Sequence, residues 1–139
     1  MIQGISHITL VVQDIAKTSR LFQYVLEGVE VYSSGSKTFS LAKENFLLVG
    51  ELWIALMEGP NLPKSYNHIA LKVEASDLPI YLSRLKELDV EISEGRSRMP
   101  EEGESIYFYD YDNHLFELHT GTLEARLQFY AQSKREESY

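Results

Sequence analysis

Residues 67–73 read NHIALKV, and residues 6–12 read SHITLVV. Both are alternating, β-branched runs that begin with a histidine, His7 in one and His68 in the other. A strand built only to pack needs no imidazole at its start, so the echo predicts a duplicated unit, and the flanking sequence extends the duplication. After the first run, Asp14 is placed to cap a helix in DIAKTSRLFQYVLEG, where Ile15, Phe22, Val25 and Leu26 share one face and Gly28 can end it. Strands follow at EVYSS, at KTFSLA and as a pair within NFLLVGELWIALM, separated by turn residues at Ser34-Gly35, Lys43-Glu44-Asn45 and Gly50. After the second run, Ser76 is placed to cap SDLPIYLSRLKELD, with Leu78, Leu82, Leu85 and Leu88 on one stripe and Pro79 tolerated in the first turn. Then come VEIS, a polar loop at 94–103, ESIYFYD, a turn at YDN, and HLFELHT.

The order is therefore βαβββ, linker, βαβββ, helix. Two copies are too few for a solenoid, and one half-sheet cannot cover its own apolar face, so the halves are expected to combine. The expected fold class is α+β: tandem βαβββ modules forming a curved mixed sheet around a metal site, with a C-terminal helix. The expected organisation is a single domain over 1–139, with module 1 at about 1–58, a linker at about 59–66 within EGPNLPKSY, and module 2 at about 67–120. A C-terminal helix and tail occupy about 121–139; TLEARLQFYAQ sets Leu123, Leu127 and Tyr130 on one stripe, and KREESY reads as a frayed tail.

Composition narrows the function. A net charge of −8 argues against general nucleic-acid binding, which needs a basic surface, while leaving room for local cationic pockets. The chain has no cysteine, which excludes disulfides, zinc–thiolate clusters and a thiol nucleophile. MIQGISHITLVVQD has no basic stretch before its short apolar run, and no run approaches the ~20 residues that span a bilayer. The expectation is a cytoplasmic protein with no membrane partner.

Strand alternation puts His7 on the face of Thr9 and Val11, and His68 on the face of Ala70 and Lys72. Pseudo-symmetry between the halves would let the two histidines approach. A third ligand is offered by Glu117 in HLFELHT, an acid between Phe116 and Leu118 that is costly to bury without a cation or a hydrogen-bond partner. The matching strand of the first half, LWIALM, offers no ligand. Two imidazoles and one carboxylate with open positions describe a catalytic metal site and admit Mn, Fe, Co, Ni or Zn. His119 shares the face of Glu117, so alternation alone leaves it open as a ligand; His114, in the turn YDNH, is the weakest candidate.

SHITLVV, YSSGSKTFSLAKENF, LWIALMEG, YNHIA and ESIYFYDYDNHLFELHTGTLEARL together resemble the vicinal oxygen chelate superfamily, which includes glyoxalase I, extradiol dioxygenases, and bleomycin- and fosfomycin-resistance proteins. The resemblance is closest to the fosfomycin-resistance enzymes of the X type, which are epoxide hydrolases. It covers almost the whole chain. It implies metal ligands at His7, His68 and Glu117, with His119 a neighbour, and Mn(II) as the metal, other divalent ions being possible. It also implies a homodimer in which modules of two chains pair, so that His7 of one joins His68 and Glu117 of the other.

The substrate implied is fosfomycin, a small phosphonate epoxide, and the reaction is addition of water to give the diol, which confers antibiotic resistance. By the same resemblance Glu44, in TFSLAKENF, is the general base, although KEN by itself reads as an exposed turn. Thr9, Tyr107 and Arg126 match phosphonate contacts, and Arg96 and Arg98 lie in a loop that could close over the substrate. That loop, EGRSRMPEEGE, departs from the potassium-binding loop of the thiol-transferring A type, so a potassium requirement is not expected. The alternatives are a fosfomycin thiol transferase, a ring-cleaving dioxygenase on a non-haem Fe(II) site, and a metal-free drug-binding protein; the last leaves Glu117 unexplained.

Overall fold

The computed structural model describes residues 1–35, 42–93 and 102–137. The chain runs β1 (His7–Val12), α1 (Ile15–Leu26), β2 (Val29–Ser33), β3 (Glu44–Val49), β4 (Leu52–Glu58), then β5 (His68–Lys72), α2 (Leu78–Glu87), β6 (Ile92–Ser93), β7 (Ser105–Tyr109), β8 (Leu115–His119) and α3 (Leu123–Glu137). The strands form two four-stranded mixed sheets of the same plan, β1-β4-β3-β2 and β5-β8-β7-β6. In each, the first strand pairs parallel with the last, and the other pairings are antiparallel.

Alternation assigns the two faces of each sheet different work. Leu10, Val12, Leu47, Ile54 and Leu56 of the first sheet and Phe108, Phe116 and Leu118 of the second lie in one apolar core with Leu21, Phe22 and Val25 of α1 and Leu78 and Leu85 of α2. Phe22 meets Phe116 edge-on at 5.4 Å between ring centroids, so the first helix packs on the second sheet and the halves share a core. A backbone bond from Gln13 N–H to buried Asp112 Oδ1 (3.0 Å) adds a polar tie between them. The opposite faces carry His7 and Thr9 in β1, and His68 and Ala70 in β5, all exposed.

Several local expectations change. Asp14 does cap α1, accepting from Lys17 N–H at 3.0 Å, but the left-handed residue at its end is Glu27 (φ 57°), not Gly28. Gly28 N–H bonds Phe22 O, and a Cβ there would come within 3.1 Å of that oxygen, so the glycine answers a close approach and not a left-handed turn. Ser76 does not cap α2: Ala75–Asp77 form a 3₁₀ turn leading into the helix, and Asp77 precedes it without a side-chain cap bond. Glu44 and Asn45 are not a turn. They open β3, because Ser34 N–H bonds Glu44 O and Ser34 Oγ accepts from Glu44 N–H, extending the ladder, and Asn45 is buried. Of the expected strand KTFSLA, residues 37–41 lie outside the described residues. The last helix continues through KREE, and its stripe of Leu123, Leu127 and Tyr130 is exposed at 73, 56 and 43%.

Candidate metal centre and its surroundings

The expected residues divide by sheet. His7, Thr9 and Glu44 share one face of the first sheet: His7 registers with Trp53, Thr9 with Ala55 and Val11 with Met57, and Met57 registers in turn with Glu44. His68, Tyr107 and Glu117 share one face of the second, where Glu117 lies between Ala70 and Tyr107. Arg126, on the first turns of α3, joins His68, Glu117 and His119 in lining a groove of about 320 Å³. Arg96 and Arg98 lie outside the described residues. Among the described residues, no three His, Asp or Glu side chains gather as a metal set within the chain.

The second-sheet half is tightly specified. Glu117 belongs to β8, an interior strand, and is 4% exposed, so it is not an edge glutamate facing water. One of its oxygens, Oε2, accepts from Ser105 Oγ–H at 2.6 Å, with His119 Nδ1 at 3.2 Å. The other, Oε1, lies 3.1 Å from His68 Nε2. His68 Nδ1 lies 2.8 Å from the Tyr66 carbonyl, an acceptor only, so Nδ1 carries the proton. In the neutral ring Nε2 then presents its lone pair to a carboxylate oxygen. Two acceptors at that distance repel unless a cation sits between them, and a proton or a metal ion meets that need. The carbonyl bond that sets the His68 tautomer is also the support that metal-bound imidazoles commonly have. This donor set therefore fits a divalent metal.

On the first sheet, His7 Nδ1 is 3.0 Å from Ser6 Oγ, and its ring stacks obliquely on Trp53 at 4.2 Å. Trp53 Nε1–H is a buried donor without a partner among the described residues. Trp53, opposite His7, and Ser105, opposite His119, carry no signal of a site role in the sequence. Their place beside the candidate ligands follows from strand register, a tertiary fact that neither residue type signals. A larger depression, about 640 Å³ beside α1 and β2, is lined by Ser19, Gln23, Glu30 and Asn45. Its polar groups bond one another, Glu30 Oε1 accepting from Asn45 and Ser19 and Ser19 Oγ accepting from Gln23, and it touches none of the candidate ligands.

Outside both faces, Asp110 organises the β7–β8 turn. Its Oδ1 accepts from the backbone N–H of Asp112 and His114, and its Oδ2 lies 2.7 Å from His114 Nδ1. That hydrogen bond, with the charges of Asp110 and Asp112, raises the His114 pKa above its ordinary value against the opposing effect of burial. Burial raises that of Asp112. His114 thus has a structural partner of its own.

Residues 4–118 match the family described as the Glyoxalase/Bleomycin resistance protein/Dioxygenase superfamily. The chain belongs to this superfamily. Within it, the chain is 53% identical over 131 residues to the fosfomycin resistance protein FosX of Listeria innocua, covering 94% of this chain and 98% of that one. The metallothiol transferase FosB of Staphylococcus haemolyticus is a more distant superfamily relative, 41% identical over 140 residues, covering 96 and 95% of the two chains. A crystal structure of a mutant FosX from Listeria monocytogenes, complexed with Mn(II) and 1S,2S-dihydroxypropylphosphonic acid, superposes with a TM-score of 0.85 at 50% identity, covering 94% of this chain and 99% of that one. The paired-sheet fold expected of a superfamily member is thus the fold observed, and the likeness to FosX is closer than that to the thiol transferases.

Proposed function

We propose that the protein is a Mn(II)-dependent hydrolase that adds water to the epoxide of fosfomycin, giving the diol and conferring resistance. The observation that carries this is the His68–Glu117 pair, pre-set by Tyr66 and Ser105 to receive a cation and placed in one groove with Arg126. The likeness to FosX, one example of which was crystallised with Mn(II) and a dihydroxypropylphosphonic acid, supplies the substrate and the metal.

In this reading His68 and Glu117, with His7, hold the metal. The metal acts as a Lewis acid that orients the substrate and offsets the negative charge developing on the epoxide oxygen. Arg126 has a planar guanidinium suited to a phosphonate, and the hydroxyls of Thr9 and Tyr107 are further donors to it. Glu44 takes a proton from water as the water oxygen bonds to an epoxide carbon and the carbon–oxygen bond of the ring breaks; protonation of the released oxygen completes the diol. Arg96 and Arg98 are assigned as further cationic contacts to the phosphonate.

His7 lies on the other sheet from His68 and Glu117, and no complete set forms within one chain among the described residues. We therefore assign the active form to a homodimer in which the first module of one chain faces the second module of its partner. The exposed apolar stripe of α3 supports a further contact surface. We take the chain as one domain of two modules divided at about 59–66, acting in the cytoplasm; no helix among the described residues is long and apolar enough to cross a membrane.

The test is turnover without thiols. The purified protein, Mn(II) and fosfomycin are followed by phosphorus NMR, and the diol is expected, with loss on chelation and recovery on adding Mn(II). The resemblance to FosB makes thiol addition the rival. An adduct formed only after glutathione or another thiol is supplied would move the protein to that class.

A further inference from the structure

Ser105 and His119 hold neither metal nor substrate in that reading, yet they stand between two residues that do. Arg126 Nη2 lies 3.3 Å from His119 Nε2. A guanidinium only donates, so Nε2 must accept and carries no proton. The ring proton of a neutral imidazole is then on Nδ1, which lies 2.7 Å from Ser105 Oγ. Ser105 Oγ is 2.6 Å from Glu117 Oε2, and an ionised carboxylate only accepts, so the single hydroxyl proton goes there. The hydroxyl oxygen is left to accept from His119 Nδ1–H. The bonds run one way, Arg126 to His119 to Ser105 to Glu117, with His119 Nδ1–H also facing Glu117 Oε2 at the longer distance of 3.2 Å.

The backbone holds this line in place. Ser105 registers with His119 across β7 and β8, which puts the two side chains on one face. Beyond them, Thr120 N–H bonds Glu104 O, and Glu104 N–H bonds Thr120 Oγ1 at 2.9 Å, so both strand ends enter the next turn together. Gly121 then passes so close that a Cβ there would lie 2.7 Å from His119 Nε2 and 2.6 Å from Glu102 O. The missing side chain leaves the acceptor nitrogen open to α3, where Arg126 approaches it.

We propose that His119, fixed in its Nδ1–H tautomer, is a positioning residue that locks the anion-binding Arg126 and the metal-ligating Glu117 into one oriented unit through Ser105. The proposal rests on the roles given above to Arg126 and Glu117. With Oε2 held by Ser105, only Oε1 is turned toward His68, so the carboxylate meets the metal through one chosen oxygen. With Nε2 of His119 as its anchor, the guanidinium is held beside that centre before any anion arrives, which lowers the ordering cost of binding. The two arms are separable. An amide at position 119 can imitate one ring nitrogen at a time: asparagine keeps a donor at the Nδ1 position, and glutamine keeps an acceptor at the Nε2 position.

The experiment uses the full-length protein with three variants, Ser105→Ala, His119→Asn and His119→Gln. Mn(II) affinity without substrate is read by electron paramagnetic resonance, and the fosfomycin KM by phosphorus NMR. Ser105→Ala and His119→Gln are expected to weaken Mn(II) binding about tenfold, the scale of losing a support to a metal ligand. His119→Asn is expected to keep Mn(II) affinity within about twofold and to raise KM about tenfold, as an anchor for an anion-binding charge is lost. Nitrogen-15 shifts of the metal-free wild type should show His119 protonated on Nδ1 and bare on Nε2. An Nε2–H tautomer, or two His119 variants that change metal and anion affinity in the same proportion, overturns the proposal. A wild type that binds Mn(II) but yields no diol overturns the hydrolase reading instead, and the tautomer and the Mn(II) affinities still decide the role of His119.

Discussion

Glu44 shows how little a residue type says before it is placed. In sequence it sits in KEN, a polar triplet that reads as a solvated turn; in the fold it is half-buried at the start of β3, on the face that carries His7 and Thr9. Glu44→Gln keeps the shape and removes the carboxylate proposed as the base, so diol formation is expected to fall at least about a hundredfold, the scale of general-base catalysis, while Mn(II) affinity stays near wild type. Turnover and metal titration on the same sample check both halves. Glu117 was legible by its apolar neighbours, but which oxygen it offers was not, since that depends on Ser105, twelve positions away. His114 makes a different contribution. Its pKa is raised in the folded state by the hydrogen bond it donates to buried Asp110, so its stabilisation is fully present below the ordinary value of 6.5 and is lost as pH rises through the folded value. A urea-unfolding series from about pH 6 to about pH 9 should show wild-type stability falling across that window and His114→Asn flattening the fall, with a cost of about 2 kcal/mol at the acid end.

At the scale of elements, sequence patterning was most dependable where one face is apolar. The stripe in α1 is buried as read, because Phe22 and Val25 both enter the core. It was least dependable at element ends, where backbone partners decide: Ser34 turned a supposed turn into β3, and a 3₁₀ turn took the place of a Ser76 cap. The stripe of α3 was also legible but is not buried within the chain, so periodicity correctly signals a face without saying what covers it. The crossing of Gly103 and Gly121, which ties the entry of β7 to the start of α3, had no sequence signal beyond two glycines. Gly103 has φ +88°, and a Cβ there would lie 2.6 Å from Gly121 N. Gly103→Ala is expected to cost about 3 kcal/mol through backbone strain and displacement, measured by chemical denaturation, and to lower turnover by shifting the start of the helix that bears Arg126.

For the whole molecule, the decisive matter is where His7 finds its partners. If the centre is completed across a dimer, a His7→Ala chain and a His68→Ala chain are each inactive alone, but a mixed dimer contains one intact site made from His7 of one chain and His68 and Glu117 of the other. Co-refolding equal amounts should restore roughly a quarter of wild-type activity, since about half the dimers are mixed and each has one of two sites. A mixture as inactive as its parts would mean that His7 serves a site within its own chain. The shared core of the two halves, with Phe22 of α1 against Phe116 of β8, gives each chain a rigid frame that carries His7 on one sheet and His68 and Glu117 on the other.

The sequence by itself determined the duplicated plan, the candidacy of His7, His68 and Glu117 with His119 left open beside them, and the exclusion of thiol chemistry by the protein's own side chains, because periodicity, composition and an acid in an apolar strand are local properties. The resemblance to a known family extended that reading to Glu44 and Arg126. Only the tertiary structure decided which sheet bears each residue, that Glu117 is interior, and that the Tyr66 carbonyl and the Ser105 hydroxyl orient His68 and Glu117 on the second sheet. Those facts depend on strand register and hydrogen-bond direction between residues far apart in the chain, which no local pattern encodes.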